Sequence, residues 1–361
     1  MSDFISNKKL KRASATAFCL LISVLFVIVS SFGVFAAENT MVSGDFEYVT
    51  GEGGVYITEY KGSQTKVTVP DKIEDKAVVG IDSEAFWYRS DIVSVELPDT
   101  IVAIGSRAFQ GCKALESVSL PEGLMNIEDA CFAQCESLEK IELPDSLYYV
   151  GSGVFDDTPF IEKFEGDSII LSDRIFYYYR GASDYVKIPD RITCISASAF
   201  LECDSLYRVD IPQSVEIIGS YAFYGCDNLK SIKLPQNLVE LGPYAFGCYT
   251  EEENPEPQVM SDFVIYSNLT DSQGNGSLGA AYASEYGITL KGESEEPIYI
   301  PLSERSNSKI SGKTVLLIVF ISILVVVVGG GMLWGFLSDK RAKEKARNNR
   351  TNNRNNKKNK R

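Results

Sequence analysis

The sequence predicts an α/β solenoid, with 23-residue coils stacked on a parallel β ladder through short helical or 3₁₀ turns and one C-terminal transmembrane helix. Three observations predict it. The stretch from Pro98 to Leu120 is followed at once by a second version of itself, Pro121 to Leu143, and related copies open at Pro189 and Pro212. A fixed period in the twenties is the mark of units that bury their apolar faces only against neighbours. Residues 314–337 form an uncharged run of 24, long enough to span a bilayer core of about 30 Å.

Laying the copies over one another justifies each part of the coil. Counted from the opening proline, position +3 holds Ile101, Leu124, Leu147, Ile192, Val215 and Leu238, and position +6 is also aliphatic in each copy. Position +11 is always phenylalanine: Phe109, Phe132, Phe155, Phe200, Phe223 and Phe246. The run Leu115-x-x-Val118-x-Leu120 ends with period two and suits a short strand, paired in parallel with the next coil as one continuous ladder. The run Ala108-Phe109 to Leu115 spaces apolar residues by three and suits one helical or 3₁₀ turn. The proline after each strand ends it.

In chain order, residues 1–36 read as a signal peptide: Lys8, Lys9, Lys11 and Arg12, then an apolar run, then small residues ending at Ala36. An uncleaved anchor is the second reading of the same segment. Residues 37–69 alternate like short strands broken by glycine and suit an N-terminal β-rich cap. The solenoid covers 70–249, with an irregular turn at 167–188. An acidic, proline-bearing loop and a C-terminal cap fill 250–290, and a polar spacer follows at 291–313. The tail, 338–361, carries 11 basic and 2 acidic residues, which places it in the cytoplasm and the repeats outside. Gly331 and Gly335 in the membrane segment are spaced for a weak helix–helix dimer.

The pattern L-x-x-[VI]-x-[LI]-P joined to I-G-x-x-A-F-x-x-C, as in Leu206 to Pro212 and Ile218 to Cys226, resembles the BspA-like leucine-rich repeats of bacterial and protist surface proteins. The resemblance covers about 45–290. It implies a surface-displayed binding protein, an adhesin or host- or cell-interaction module, whose partner is an extracellular protein or glycan. A structural or sensory part of the cell's own envelope is the alternative, and a carboxylate-based enzyme comes third.

Composition narrows the chemistry further. The chain has no histidine, which removes Ser-His-Asp and Cys-His catalysis and most zinc sites. Residues 37–313 hold 20 basic and 46 acidic residues, an unfavourable surface for nucleic acid. No cofactor or metal motif is present, and the reading is of a protein that is not an enzyme. Cys112, Cys135, Cys203 and Cys226 share position +14. Neighbouring coils, about 4.8 Å apart, would allow disulfides 112–135 and 203–226, and a column of buried thiols is the other reading.

Two sets of residues stand out as candidates for partner binding. The first is a tyrosine cluster around the irregular turn: Tyr148, Tyr149, Tyr177, Tyr178, Tyr179 and Arg180. Tyrosine and arginine bury area while keeping a polar end. In a strand, Tyr177 and Tyr179 share one face and Tyr178 takes the other, so at least one points outward; filling a widened core is the competing role. The second set is the outer positions of the ladder: Ser117 and Ser119, Lys140 and Glu142, Arg208 and Asp210, Ser231 and Lys233.

Overall fold

In the computed structural model, the described residues are 40–295 except 52, 252–253 and 271–275. The signal segment, most of the spacer, the membrane segment with Gly331 and Gly335, and the basic tail lie outside them. Among the described residues no helix is long and apolar enough to cross a membrane.

The described chain is a β-solenoid. Its two helices, Pro159–Glu162 and Leu278–Tyr286, lie outside the regular coils, so the α/β expectation is corrected to an essentially all-β coil. The reason is the turn around each +11 phenylalanine. Positions +9 and +13 sit in the left-handed region, as at Arg107 (φ 58°), Ala130 (53°), Gln134 (61°), Ser198 (56°), Glu202 (54°) and Tyr221 (59°). Each costs a non-glycine residue about 1–2 kcal/mol, and no helix continues through them.

What offsets the strain is hydrogen bonding between coils. The N–H groups at +9, +11 and +13 leave the turn and donate to carbonyls of the next coil. Arg107 donates to Asp129, Phe109 to Cys131 and Gly111 to Ala133, each at 2.9 Å. The same triplet recurs at Ala130, Phe132 and Gln134, and again at Ser198, Phe200 and Glu202, over 2.7–3.0 Å. The intervening N–H groups close short turns within the coil, Gln110 to Arg107 (3.1 Å) and Cys112 to Phe109 (3.2 Å) among them. Alternating left- and right-handed residues therefore give each coil a bonding edge without a strand.

Two parallel strand ladders run beside this turn ladder. At +5 and +6, two-residue strands pair in register, Ala103–Ile104 with Asn126–Ile127 and Tyr149–Val150, and Cys194–Ile195 with Ile217–Ile218 and Glu240–Leu241. The ladder expected from the L-x-x-V-x-L runs exists but is not continuous. It comprises Lys66–Thr68, Ser94–Glu96 and Ser117–Ser119, then Tyr185–Lys187 with Arg208–Asp210, then Ser231–Lys233 with the closing strands Val264–Ser267 and Thr289–Gly292. Residues 140–142 belong to no strand, and the following coil puts the helix Pro159–Glu162 before its own segment, so they lack an extended neighbour there.

Inside, the phenylalanines stack in a column. Phe86, Phe109, Phe132 and Phe155 lie 4.8, 5.3 and 5.8 Å apart, nearly parallel, and Phe200, Phe223 and Phe246 continue at 4.6 and 5.0 Å. The thiols form a second column. Cys112, Cys135 and Cys226 donate to the carbonyls of Phe86, Phe109 and Phe200 at 3.0–3.2 Å. All seven cysteines of the described chain are free, six of them buried and Cys203 half-buried. Burial pushes the Cys112 thiol up to about 12, so it carries no nucleophilic thiolate at neutral pH.

The stretch expected as an irregular turn is a second copy of the N-terminal cap. Asp45 to Ile73 opens with an antiparallel hairpin, Phe46–Gly51 against Gly54–Tyr60, broken by a bulge. Asp167 to Ile192 opens with Ser168–Leu171 against Ile175–Tyr179, also bulged. Tyr60-x-Gly62, Val67-x-Val69-Pro70-Asp71-x-Ile73 and Tyr179-x-Gly181, Val186-x-Ile188-Pro189-Asp190-x-Ile192 align without a gap. The bonds match as well. Lys61 N–H donates to Asp45 and Arg180 N–H to Asp167, both at 2.8 Å, and Tyr60 and Tyr179 donate to Ala85 and Ala199 at 2.9 and 2.8 Å. The two hydroxyls accept from Gln64 and Ser183 N–H. The buried core forms two main clusters, and the first continues through the second cap by Ile169, Leu171, Ile175 and Tyr177 to Cys194 and Ile217.

The chain accordingly builds two modules, 41–166 and 167–295, each opened by its own cap. A fragment of residues 167–295 should melt cooperatively by circular dichroism, and one starting at residue 190, without the hairpin, should not. Two unfolded fragments would contradict a second cap.

Candidate functional site

The tyrosines around the second cap divide into structural and outward groups. Tyr177 and Tyr179 are 4% and 3% exposed, which corrects their assignment to a partner surface. Tyr177 has a specific reason to be inside. Its hydroxyl accepts the N–H of Phe155 at 3.1 Å, a group that elsewhere finds the next coil's carbonyl. The second cap has no such turn at that point, and the phenol supplies the missing oxygen.

The C-terminal cap repeats the device. The helix Leu278–Tyr286 is capped by Ser277, whose hydroxyl accepts from Ala280 N–H at 3.1 Å. One turn apart on it, Tyr282 and Tyr286 present hydroxyls that accept from Phe246 N–H (2.9 Å) and Tyr244 N–H (3.3 Å). These are the +11 and +9 donors of the last coil.

Of the remaining candidates, Tyr178 is 43% exposed and points away from the core. Arg180 is exposed, but its guanidinium is held by the carbonyls of Gly166 and Phe164 beside the second hairpin. Tyr148 and Tyr149 are half-buried against the first core. Burial first, then Asp129 and Glu128, holds the Tyr149 phenol well above its ordinary pKa, so it is a neutral hydroxyl.

The outer ladder positions are open to solvent. Ser117, Ser119, Lys140 and Glu142 are exposed, while Arg208, Asp210, Ser231 and Lys233 are half-exposed. Arg208 bridges to Asp210 at 2.9 Å and lies 5.2 Å over the ring of Tyr185, whose hydroxyl donates to Asp210 at 2.7 Å. That arrangement presents a fixed cation, carboxylate and phenol on one surface. Among the described residues no cluster of acids and cysteines is arranged to hold a metal ion.

A model of the BspA type leucine rich repeat region matches the chain in six copies over residues 59–180 and 169–259. The chain belongs to the BspA-type leucine-rich repeat family. The two matched stretches overlap at 169–180, within the hairpin of the second cap. No curated protein matches the chain. Among solved structures, a leucine-rich repeat protein of T. pallidum is 25% identical over 70% of this chain and 97% of its own, with a TM-score of 0.34. One from Bacteroides capillosus is 27% identical over 34% and 94% (TM-score 0.32), and one from Bacteroides ovatus 21% over 70% and 67% (TM-score 0.34). Proteins of this repeat family are typically interaction modules and non-enzymatic scaffolds.

Two features of this BspA-type array escaped the sequence reading. Trp87 and Tyr88, in the divergent first coil, are 48% and 50% exposed. Beside them lies an open cleft of about 480 Å³ reaching from Gln110 to Ser198, on the turn face where the regular coils are interrupted by the second cap. The aromatic pair follows Phe86 directly in sequence, so the phase of that coil was the signal that could have placed both rings on the turn face.

The inner ladder holds an unusual acid. Position +7 is glycine in most coils because a Cβ would meet the preceding turn, at 2.5 Å from Ser83 N for Gly105 and 2.4 Å from Ala197 N for Gly219. Glu128 occupies that position. Burial, then Asp129 and Glu240, raises its pKa to about 7. The folded chain therefore holds a proton that the unfolded chain releases near the ordinary carboxylate value. Stability from this group is full at low pH and is lost as pH rises through about 7. Glu128→Gln should raise the melting temperature at pH 8 and change it little at pH 4; an equal shift at both would contradict the assignment.

Proposed function

We propose that the chain is a membrane-anchored cell-surface protein that binds an extracellular protein or glycan through the outward side chains of its repeats, as an adhesin or host- or cell-interaction module. One observation carries the reading. The regular coils bury most of their +3, +6, +11, +14 and +17 side chains in stacking, while the two side chains flanking +20 face out and differ from coil to coil. A rigid frame with variable outer positions is what a solenoid needs to recognise a partner over a long surface. The apolar segment 314–337 and the basic tail supply the anchor and its orientation.

The test uses the full-length chain in a bilayer, probed with a panel of matrix proteins and epithelial cells. Replacing Ser117 and Ser119 by Arg in one variant, and Arg208 and Asp210 by Ser in another, should weaken binding ten-fold or more in at least one of them, with melting temperature within a few degrees. Binding unaltered in both variants would remove the ladder face.

A further inference from the structure

We infer that the turn face of the first module carries a binding site for a neutral oligosaccharide, formed by Trp87, Tyr88 and the cleft beside them. The inference rests on reading the array as a binding scaffold and names a ligand class and a place on it.

The site is built by the turn ladder. Positions +12 of successive coils form one row, Trp87, Gln110, Ala133 and Asp156, and positions +13 another, Tyr88, Gly111, Gln134 and Asp157. Coils follow at about 4.8 Å, so each row runs roughly 14 Å. Ala130, Ala133 and Gly153, all small, line the cleft. The two rings stand at one end and the carboxylates of Asp156 and Asp157 at the other.

The rings are fixed in place. Trp87 Nε1–H donates to Gln110 Oε1 at 3.2 Å, and Tyr88 Oη–H donates to Gln134 Oε1 at 3.1 Å, two coils along. Both glutamines line the cleft. Tyr88 lies across Gly111, where a Cβ would meet its ring at 2.7 Å. The rings pack edge to face at 4.9 Å, and half of each remains open to solvent. Their orientation is thus set before any ligand arrives, which lowers the ordering cost of binding.

The lining selects the ligand. The electron-rich face of an indole attracts the weakly positive C–H face of a pyranose. Gln110, Gln134 and Ser152 both donate and accept, and the carboxylates of Asp129, Asp156 and Asp157 accept from hydroxyls, so a polyhydroxylated ligand finds partners throughout. No lysine or arginine lines the cleft, and Lys113, the cation near Tyr88, is paired with Glu136 at 2.6 Å, which disfavours phosphate, sulfate and uronate groups. The open cleft offers no enclosed apolar pocket for a protein anchor residue.

Trp87 and Trp334 are the chain's two tryptophans. A Trp334→Phe background in lipid nanodiscs therefore reports on Trp87 alone. The full-length protein is applied to a printed array of neutral, acidic and amino oligosaccharides and to basic peptides, and retained compounds are titrated by fluorescence. Retention of neutral oligosaccharides is expected, with a saturable blue shift of Trp87 emission. Tyr88→Ser should weaken affinity ten-fold or more in this background, and Trp87→Ala likewise by array retention, with unchanged melting. Gln134→Ala serves as a milder variant should either fold poorly. Failure to retain neutral oligosaccharides, retention of acidic glycans or basic peptides only, or full affinity in Trp87→Ala would overturn the inference. Capture of a protein ligand through the outer ladder by that same variant would leave the broader reading standing while this one falls.

Discussion

Three backbone N–H groups per coil, at the ninth, eleventh and thirteenth positions, point out of the turn toward the next coil and need an acceptor there. Left buried without one, each would cost about 1–3 kcal/mol. Within the array the next coil answers with three carbonyls, as for Arg107, Phe109 and Gly111. The left-handed residues that aim these groups are sustained by the bonds they make. The same constraint makes every interruption of the array a problem to be closed. The chain closes two of them with tyrosine hydroxyls, Tyr177 at the module boundary and Tyr282 with Tyr286 at the end.

That requirement explains the layout around the candidate surfaces. The second cap breaks the turn ladder after Phe155, and the break leaves an open cleft on the turn face. The outer strand ladder restarts at Tyr185–Lys187 and carries Arg208 and Asp210 in register beside it. The two candidate surfaces therefore belong to different ladders and different sides of each coil. The residues proposed for them, Trp87 and Tyr88 on one and Arg208 and Asp210 on the other, lie outside the phenylalanine and thiol columns.

Much of the frame was legible in the sequence because large apolar side chains mark it directly. Phe109, Phe132 and Phe200 recur in phase, and their burial follows from that phase alone. The turn conformation was not legible. Positions +9 and +13 hold Glu, Arg, Ala, Gly, Ser, Tyr, Gln and Asp, so no residue type announces the left-handed geometry, and A-F-x-x-C reads equally as a helical turn. Alternation correctly separated Tyr178 from Tyr177 and Tyr179. It could not say which face was the core, since that depends on a hydrogen bond to a residue 22 positions earlier. The acidic segment at 250–258, expected as a loop, pairs instead as an antiparallel hairpin, Cys248–Glu251 with Asn254–Val259. The second cap was visible as Tyr179-x-Gly181 through Pro189-Asp190-x-Ile192, but only to a comparison with the first cap in place of the coils.

Phenol oxygens complete the turn ladder where carbonyls are missing. Amide hydrogen exchange of Phe155, measured in the wild-type chain and in Tyr177→Phe, tests it most directly. The account predicts that the Phe155 amide is as protected as that of Phe132 in the wild type. In the variant it should lose that protection by ten-fold or more, while Phe132 changes little. Equal protection of Phe155 with and without the hydroxyl would contradict it.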